Sequence, residues 1–185
     1  VAYTVDPEPI ENPFVDVSES DYYYDAVLWA YSNNITSGKD ATHFQPDAAC
    51  TRAQVVTFLW RANGQPEPTS TTNPFVDVSK DSYYYKAVLW AAEKGITSGK
   101  DATHFQPDAT VTRAQFVTFL WRSEGKPAPK GDNPFVDVAN GQYYTDAVVW
   151  AYENGITSGK DATHFQPDAN CIRAQVVTFL YRNMQ

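Results

Sequence analysis

Ile35-Thr-Ser-Gly-Lys-Asp-Ala-Thr-His-Phe-Gln-Pro-Asp-Ala48 is repeated without change from Ile96 and again from Ile156. A period of this length is read before anything else, because a missed repeat misassigns the whole fold. Extending outward, Asn-Pro-Phe-Val-Asp-Val begins at Asn12, Asn73 and Asn133, Arg-Ala-Gln at Arg52, Arg113 and Arg173, and Val-Thr-Phe-Leu at Val56, Val117 and Val177. The chain is therefore three tandem copies of one unit. Gly64-Gln-Pro-Glu-Pro-Thr-Ser-Thr-Thr and Gly125-Lys-Pro-Ala-Pro-Lys-Gly-Asp lie between copies and carry the Pro, Gly and polar composition of surface linkers. The expected divisions are a tail over 1–11, repeat 1 over 12–66, linker plus repeat 2 over 67–127, and linker plus repeat 3 over 128–185.

Each unit reads as helix–loop–helix, which makes the fold mainly α. Ser20 or Asp21 is positioned to cap a first helix running to about Asn33, with Tyr23, Ala26, Val27, Ala30 and Tyr31 at three- and four-residue spacing on one face. Asn34, Gly95 and Gly155 follow, where a left-handed residue ends a helix. Ile35 to Phe44 is expected to be a loop or short extended turn. Thr51-Arg-Ala-Gln54 then has the spacing of a capping box opening a second helix through Arg61, stopped by Gly64 and Pro66. Ile172 stands where the other copies have the capping threonine, a loss of about 1 kcal/mol. Two short helices cannot bury this much aromatic surface alone. The units must pack together, either in a short stack or, as we favour, closed around a pseudo-threefold axis.

The composition, 43% hydrophobic with 12 Tyr, 10 Phe and 5 Trp in 185 residues, supports a packed core. A net charge of −8 excludes binding of nucleic acid or anionic membranes by bulk charge, so an anionic ligand has to be held by clustered arginines. No apolar run reaches the length of a membrane span, so no membrane insertion is expected. Residues 1–4 lack the basic and apolar regions of a secretion signal. Such a signal is expected to have been removed already or to lie elsewhere in a longer parent carrying a cargo domain. Neither a Gly-x-Ser-x-Gly, Cys-x-x-Cys or His-Glu-x-x-His motif nor a Walker loop is present, and the polar residues recur in parallel rather than forming one asymmetric site. We expect no enzyme, cofactor or metal.

Phe-x-Asp-Val, an aromatic first helix, an Ile-Thr-Ser-Gly turn, a Phe-x-Pro loop and an Arg-Ala-Gln helix start, led by Thr in the first two copies, in this order three times, resemble S-layer homology domains over almost all of residues 12–183. The resemblance implies a trimeric, spindle-like helical module. It also implies an extracellular role, anchoring an exported bacterial protein to the wall or S-layer through a secondary cell-wall polysaccharide, often one bearing a pyruvylated sugar. This sequence departs from the family pattern in three places. Gln54, Gln115 and Gln175 replace its acidic residue, Asp21-Tyr22, Ser82-Tyr83 and Gln142-Tyr143 replace its His-Trp pair, and Lys39-Asp-Ala-Thr42 replaces its Pro-Asp-Gly turn.

Arg52, Arg113 and Arg173 are the first candidates for ligand binding. An arginine in the first turn is electrostatically unfavourable for its helix but can offer a bidentate fork to a carboxylate. The alternative is an ion pair with Asp16 or Asp47 of a neighbouring unit. Arg61, Arg122 and Arg182 suit a helix C-terminus and read as structural. Gly38, Gly99 and Gly159 either admit a ligand close to the backbone or adopt positive φ, and the resemblance places them in a binding groove. Asp16, Asp77 and Asp137 either accept sugar hydroxyls or satisfy backbone donors. Tyr22, Tyr83 and Tyr143 suit either the C–H face of a sugar or the core. Trp29, Trp60, Trp90, Trp121 and Trp150 read as core, and His43, His104 and His164 as loop hydrogen-bonding groups rather than a zinc site. Cys50 and Cys171 share one repeat position, and if that position lies near the axis they can form a disulfide. The leading function is wall-polysaccharide anchoring. The alternative is a protein-interaction or surface-layer self-assembly module.

Overall fold

The structure, a computed structural model, describes residues 9–185, so most of the expected N-terminal tail lies outside the described residues. Six α-helices occur among them, two per repeat: α1 (Tyr24–Ser32), α2 (Arg52–Ala62), α3 (Tyr85–Glu93), α4 (Arg113–Ser123), α5 (Thr145–Glu153) and α6 (Arg173–Asn183). Strand pairing among the described residues is limited to isolated bridges between repeats.

The second helices begin as their sequence requires. The hydroxyls of Thr51 and Thr112 accept the amides of Gln54 and Gln115, whose side chains accept the Thr51 and Thr112 amides in return. In α6 Ile172 offers no acceptor, yet Gln175 Oε1 still takes the Ile172 amide at 3.3 Å. Half the box therefore survives. The first helix α1 starts later than expected, after Tyr23 rather than Asp21, because the Asp21 carboxylate accepts the Ser18 amide and closes the preceding turn. Asn34, Gly95 and Gly155 end these helices at φ of 57°, 69° and 69°, the left-handed geometry anticipated for them.

Each first helix packs on the second helix of the preceding repeat: α3 on α2, α5 on α4, and α1 on α6. The order is cyclic, and the backbone closes the same way. The amide of Cys50 donates to Cys171 O, that of Cys171 to Val111 O, and that of Val111 to Cys50 O. This ring is the closure that a pseudo-threefold module needs, and it ties residues far apart in sequence. The α2, α4 and α6 faces fill the interior with fully buried Val55, Leu59, Phe116, Leu120, Val176 and Leu180. Each such side chain contributes about 1.5–3 kcal/mol by leaving water. Phe116 replaces the valine of the other repeats and stacks on Phe179, centroids 6.0 Å apart.

Trp60, Trp90 and Trp150 are buried, while Trp29 and Trp121 pack half-buried against the same core. The indoles of Trp60 and Trp121 donate to Pro66 O and Pro127 O, which fastens each linker to the helix before it.

Candidate functional site

Three grooves lie between the repeats, each built from all three copies. In the groove on repeat 3, of about 330 Å³, the turn Thr157–Lys160 and the α6 side chains Gln175 and Arg182 form the walls. Arg113 enters it from repeat 2 and Tyr22 from repeat 1. The groove on repeat 2 (about 250 Å³) has Arg52, Lys100, Arg122 and Tyr143 in the same places, and that on repeat 1 (about 220 Å³) has Arg173, Lys39, Arg61 and Tyr83. Every groove thus gathers two arginines and a lysine, with no Asp or Glu in its lining. In a chain of net charge −8, three separate cationic hollows favour an anionic ligand.

The first-turn arginines are the buried members, 2–3% exposed. Nε of Arg52 donates to Phe105 O at 2.7 Å, Nε of Arg113 to Phe165 O at 2.8 Å, and Nε of Arg173 to Phe44 O at 2.8 Å. Each guanidinium also lies over two rings of the repeat it enters, as Arg52 does over Phe105 at 4.7 Å and Phe119 at 5.5 Å. Burial draws all three pKa values down from the ordinary arginine value, and nearby acidic groups such as Asp77, Asp137 and Asp16 partly oppose it. The guanidiniums remain cationic at neutral pH.

The expected alternative, an ion pair with Asp16 or Asp47, is not formed. The ion pairs among the described residues are Lys86–Glu67 and the exposed His–Asp contacts. One guanidinium nitrogen of Arg173, Nη2, is buried with no hydrogen-bond partner at all. Nη2 of Arg52 has only the Thr97 hydroxyl, at 3.5 Å. Such donors are rarely left unmet in a finished protein.

A family model described as the S-layer homology domain matches residues 13–56, 74–117 and 134–177, well over half of the chain. The chain belongs to the S-layer homology domain family. Among its relatives are an endoglucanase of Bacillus sp. (strain KSM-635), 37% identical over 63% of this chain and 12% of that protein, and a cell surface protein of Thermoanaerobacter kivui, 30% identical over 70% of this chain and 18% of that protein. A surface-layer 125 kDa protein of Lysinibacillus sphaericus is 32% identical over 61% of this chain and 10% of that protein. The chain spans less than a fifth of each of these relatives, so the likeness to an endoglucanase concerns a small part of that enzyme.

In this S-layer homology module the residues singled out by sequence separate into two groups. Arg52, Arg113, Arg173, Gly38, Gly99, Gly159, Tyr22, Tyr83 and Tyr143 all line the grooves, with the tyrosines exposed and T-stacked on Tyr23, Tyr84 and Tyr144. Asp16, Asp77 and Asp137 do not. Asp16 accepts the amides of Phe44 at 2.9 Å and Gln45 at 2.8 Å, and its counterparts do the same in their own repeats. Gln45, Gln106 and Gln166 sit at φ of 57–58°, a conformation that a side chain makes costly, and the carboxylate is what holds it. Asp16→Ala should therefore lower stability by about 2–3 kcal/mol, measured by urea unfolding, while saccharide binding by the folded fraction stays unchanged. A variant of full stability with lost binding would reverse that assignment.

Arg61, Arg122 and Arg182 belong to the grooves as well as to the scaffold. Their Nη1 atoms donate to Ile35 O, Ile96 O and Ile156 O, and the rest of each guanidinium faces the hollow. Their helix-end position signals a favourable charge, but not the fold-back of the turn that puts them in the groove wall. Lys39, Lys100 and Lys160 were also missed, and three-way recurrence beside the glycine was the available signal.

His43 Nδ1 lies 3.1 Å from Asp40 Oδ1 on an exposed loop, and His104 and His164 repeat the arrangement. No group of three or more His, Cys, Asp or Glu positioned to hold a metal occurs among the described residues. Cys50 and Cys171 meet at the backbone ring, the position at which a disulfide was one possibility, and both are free, buried thiols. Burial pushes the Cys50 thiol up to about 12 and raises Cys171 as well, so neither offers the thiolate that exchange requires. They pack as small apolar side chains, in register with Val111. No helix is long and apolar enough to cross a membrane among the described residues.

Proposed function

We propose that the chain anchors a protein to the cell surface by binding an anionic secondary wall polysaccharide in its three grooves, with a carboxylate-bearing sugar, such as a pyruvylated terminal unit, as the recognised group. It is an extracellular module of the cell wall or surface layer. The observation that carries the polysaccharide reading is the buried first-turn arginine with no carboxylate partner, Arg173 Nη2 being unmet entirely. A ligand carboxylate supplies the missing acceptor, and the guanidinium fork fits it in two parallel bonds. The second arginine and the lysine add charge, and the tyrosine presents a face to the sugar ring. This chain matches only a small part of the enzymes among its relatives, 12% of the endoglucanase and 9% of an exoglucanase of Acetivibrio thermocellus, and the role read for it is attachment.

The test is co-sedimentation with protein-free wall polysaccharide before and after mild acid removal of its ketal-linked carboxylates. Retention should fall by roughly 100-fold on removal, the effect of losing two or more charge-assisted contacts. Equal retention on both preparations would sink the anionic-ligand reading and favour a protein partner.

A further inference from the structure

The three grooves are not equivalent, because the repeats differ at one position behind the turn. Tyr31 and Tyr152, near the ends of α1 and α5, stand edge-on to Phe14 and Phe135 with centroids 5.4 and 5.5 Å apart. Repeat 2 has Ala92 in that place. Without the ring a hollow of about 470 Å³ opens against Phe75, lined also by Pro74, Ala102, Arg122 and Lys126. It adjoins the repeat 2 groove, with which it shares Thr97, Ser98 and Arg122.

We propose that this hollow is a second saccharide subsite, which takes the next sugar unit of an anionic chain whose terminal unit occupies the repeat 2 groove. The inference rests on the saccharide reading of the grooves and adds a length preference confined to one of them. The chemistry of the hollow suits a sugar. Phe75, Pro74, Ala92 and Ala102 form an apolar side for C–H faces, Thr97 and Ser98 carry hydroxyls, and Arg122 and Lys126 supply positive charge. Lys126 is held at its root, since its backbone is left-handed at φ 58° and its amide donates to Trp121 O. Repeat 1 has the neutral Gln65 there, which together with Tyr31 leaves that copy without the space and without the second cation beside its arginine.

Calorimetry of the full chain with monosaccharide and trisaccharide fractions, released from protein-free wall polysaccharide, tests the idea. One site should bind the trisaccharide roughly tenfold more tightly than the monosaccharide, the scale of one added charge-assisted contact, while the other sites show no gain. Ala92→Tyr should erase that gain and leave monosaccharide binding intact, and Lys126→Gln should reduce it. Both residues already occur at the matching places of other repeats, so folding is expected to be unaffected, and thermal unfolding verifies it. A trisaccharide bound as tightly by Ala92→Tyr as by the parent chain overturns the subsite alone. So does a parent chain with no length preference. Failure of the parent chain to bind either fraction would overturn the groove reading and the subsite with it.

Discussion

Replacing Arg52, Arg113 and Arg173 together with methionine should abolish retention on wall polysaccharide, a loss of at least about 100-fold, while the protein stays folded. The stability side of this expectation follows from what each arginine touches. Its stem lies between two phenylalanine rings of the next repeat, a place methionine fills comparably. The lost Nε–H···O bond leaves one buried carbonyl, such as Phe105 O, unmet at about 1–3 kcal/mol. Against that, a buried cation without an anionic partner is itself costly, and apolar replacements of buried charges are often neutral or better. The terms nearly cancel, so thermal unfolding should move by only a few degrees. Binding has no such compensation, because the groove loses the fork aimed into it. Single variants should each lose one groove and lower avidity in steps. Arg173→Lys gives a further check, since it keeps the charge and loses the fork, and should weaken retention without abolishing it. A folded triple variant that still binds at parental strength would remove the arginine mechanism.

Much of this architecture is legible in the residues because local chemistry determines it. Thr51 and Gln54 satisfy each other within one turn, and Asn34, Gly95 and Gly155 mark helix ends by a conformation few residues accept. Other features depend on contacts that sequence spacing does not reveal. Asp21 has a cap residue's chemistry but serves Ser18, and Asp16 meets Phe44 across 28 residues because the loop returns to the start of its own repeat. The composition of each groove was readable one residue type at a time. Its assembly from one repeat's turn, the preceding repeat's arginine and the following repeat's tyrosine was not, since that register exists only once the ring of Cys50, Val111 and Cys171 closes. The difference at Ala92 was visible as a letter, but its meaning required seeing Tyr31 packed on Phe14.

Gly38→Ala, or the same change at Gly99 or Gly159, should destabilise the module by roughly 3 kcal/mol or more, the largest stability effect expected from adding a single methyl group. The sequence left two reasons open for this glycine, close approach of a ligand or the demands of the turn. The turn alone requires it. Its φ is 86°, and a Cβ built there would lie 2.5 Å from Phe14 Cε1, 2.6 Å from Asp40 O and 2.8 Å from His43 O. A flexible side chain could yield, but Phe14 is buried and the two oxygens are backbone. The His43 carbonyl also accepts the Lys39 amide at 2.8 Å, so pushing it away breaks the turn that carries Lys39 into the groove. Urea unfolding should show a lower midpoint for each variant. Gly64→Ala is the control, because a Cβ there meets nothing within 4 Å although φ is 83°, so its cost is the backbone term alone. If Gly38→Ala were no worse than Gly64→Ala yet lost wall binding, the glycine would be present for the ligand. A much larger loss of stability in Gly38→Ala assigns it to the scaffold on which the groove is built.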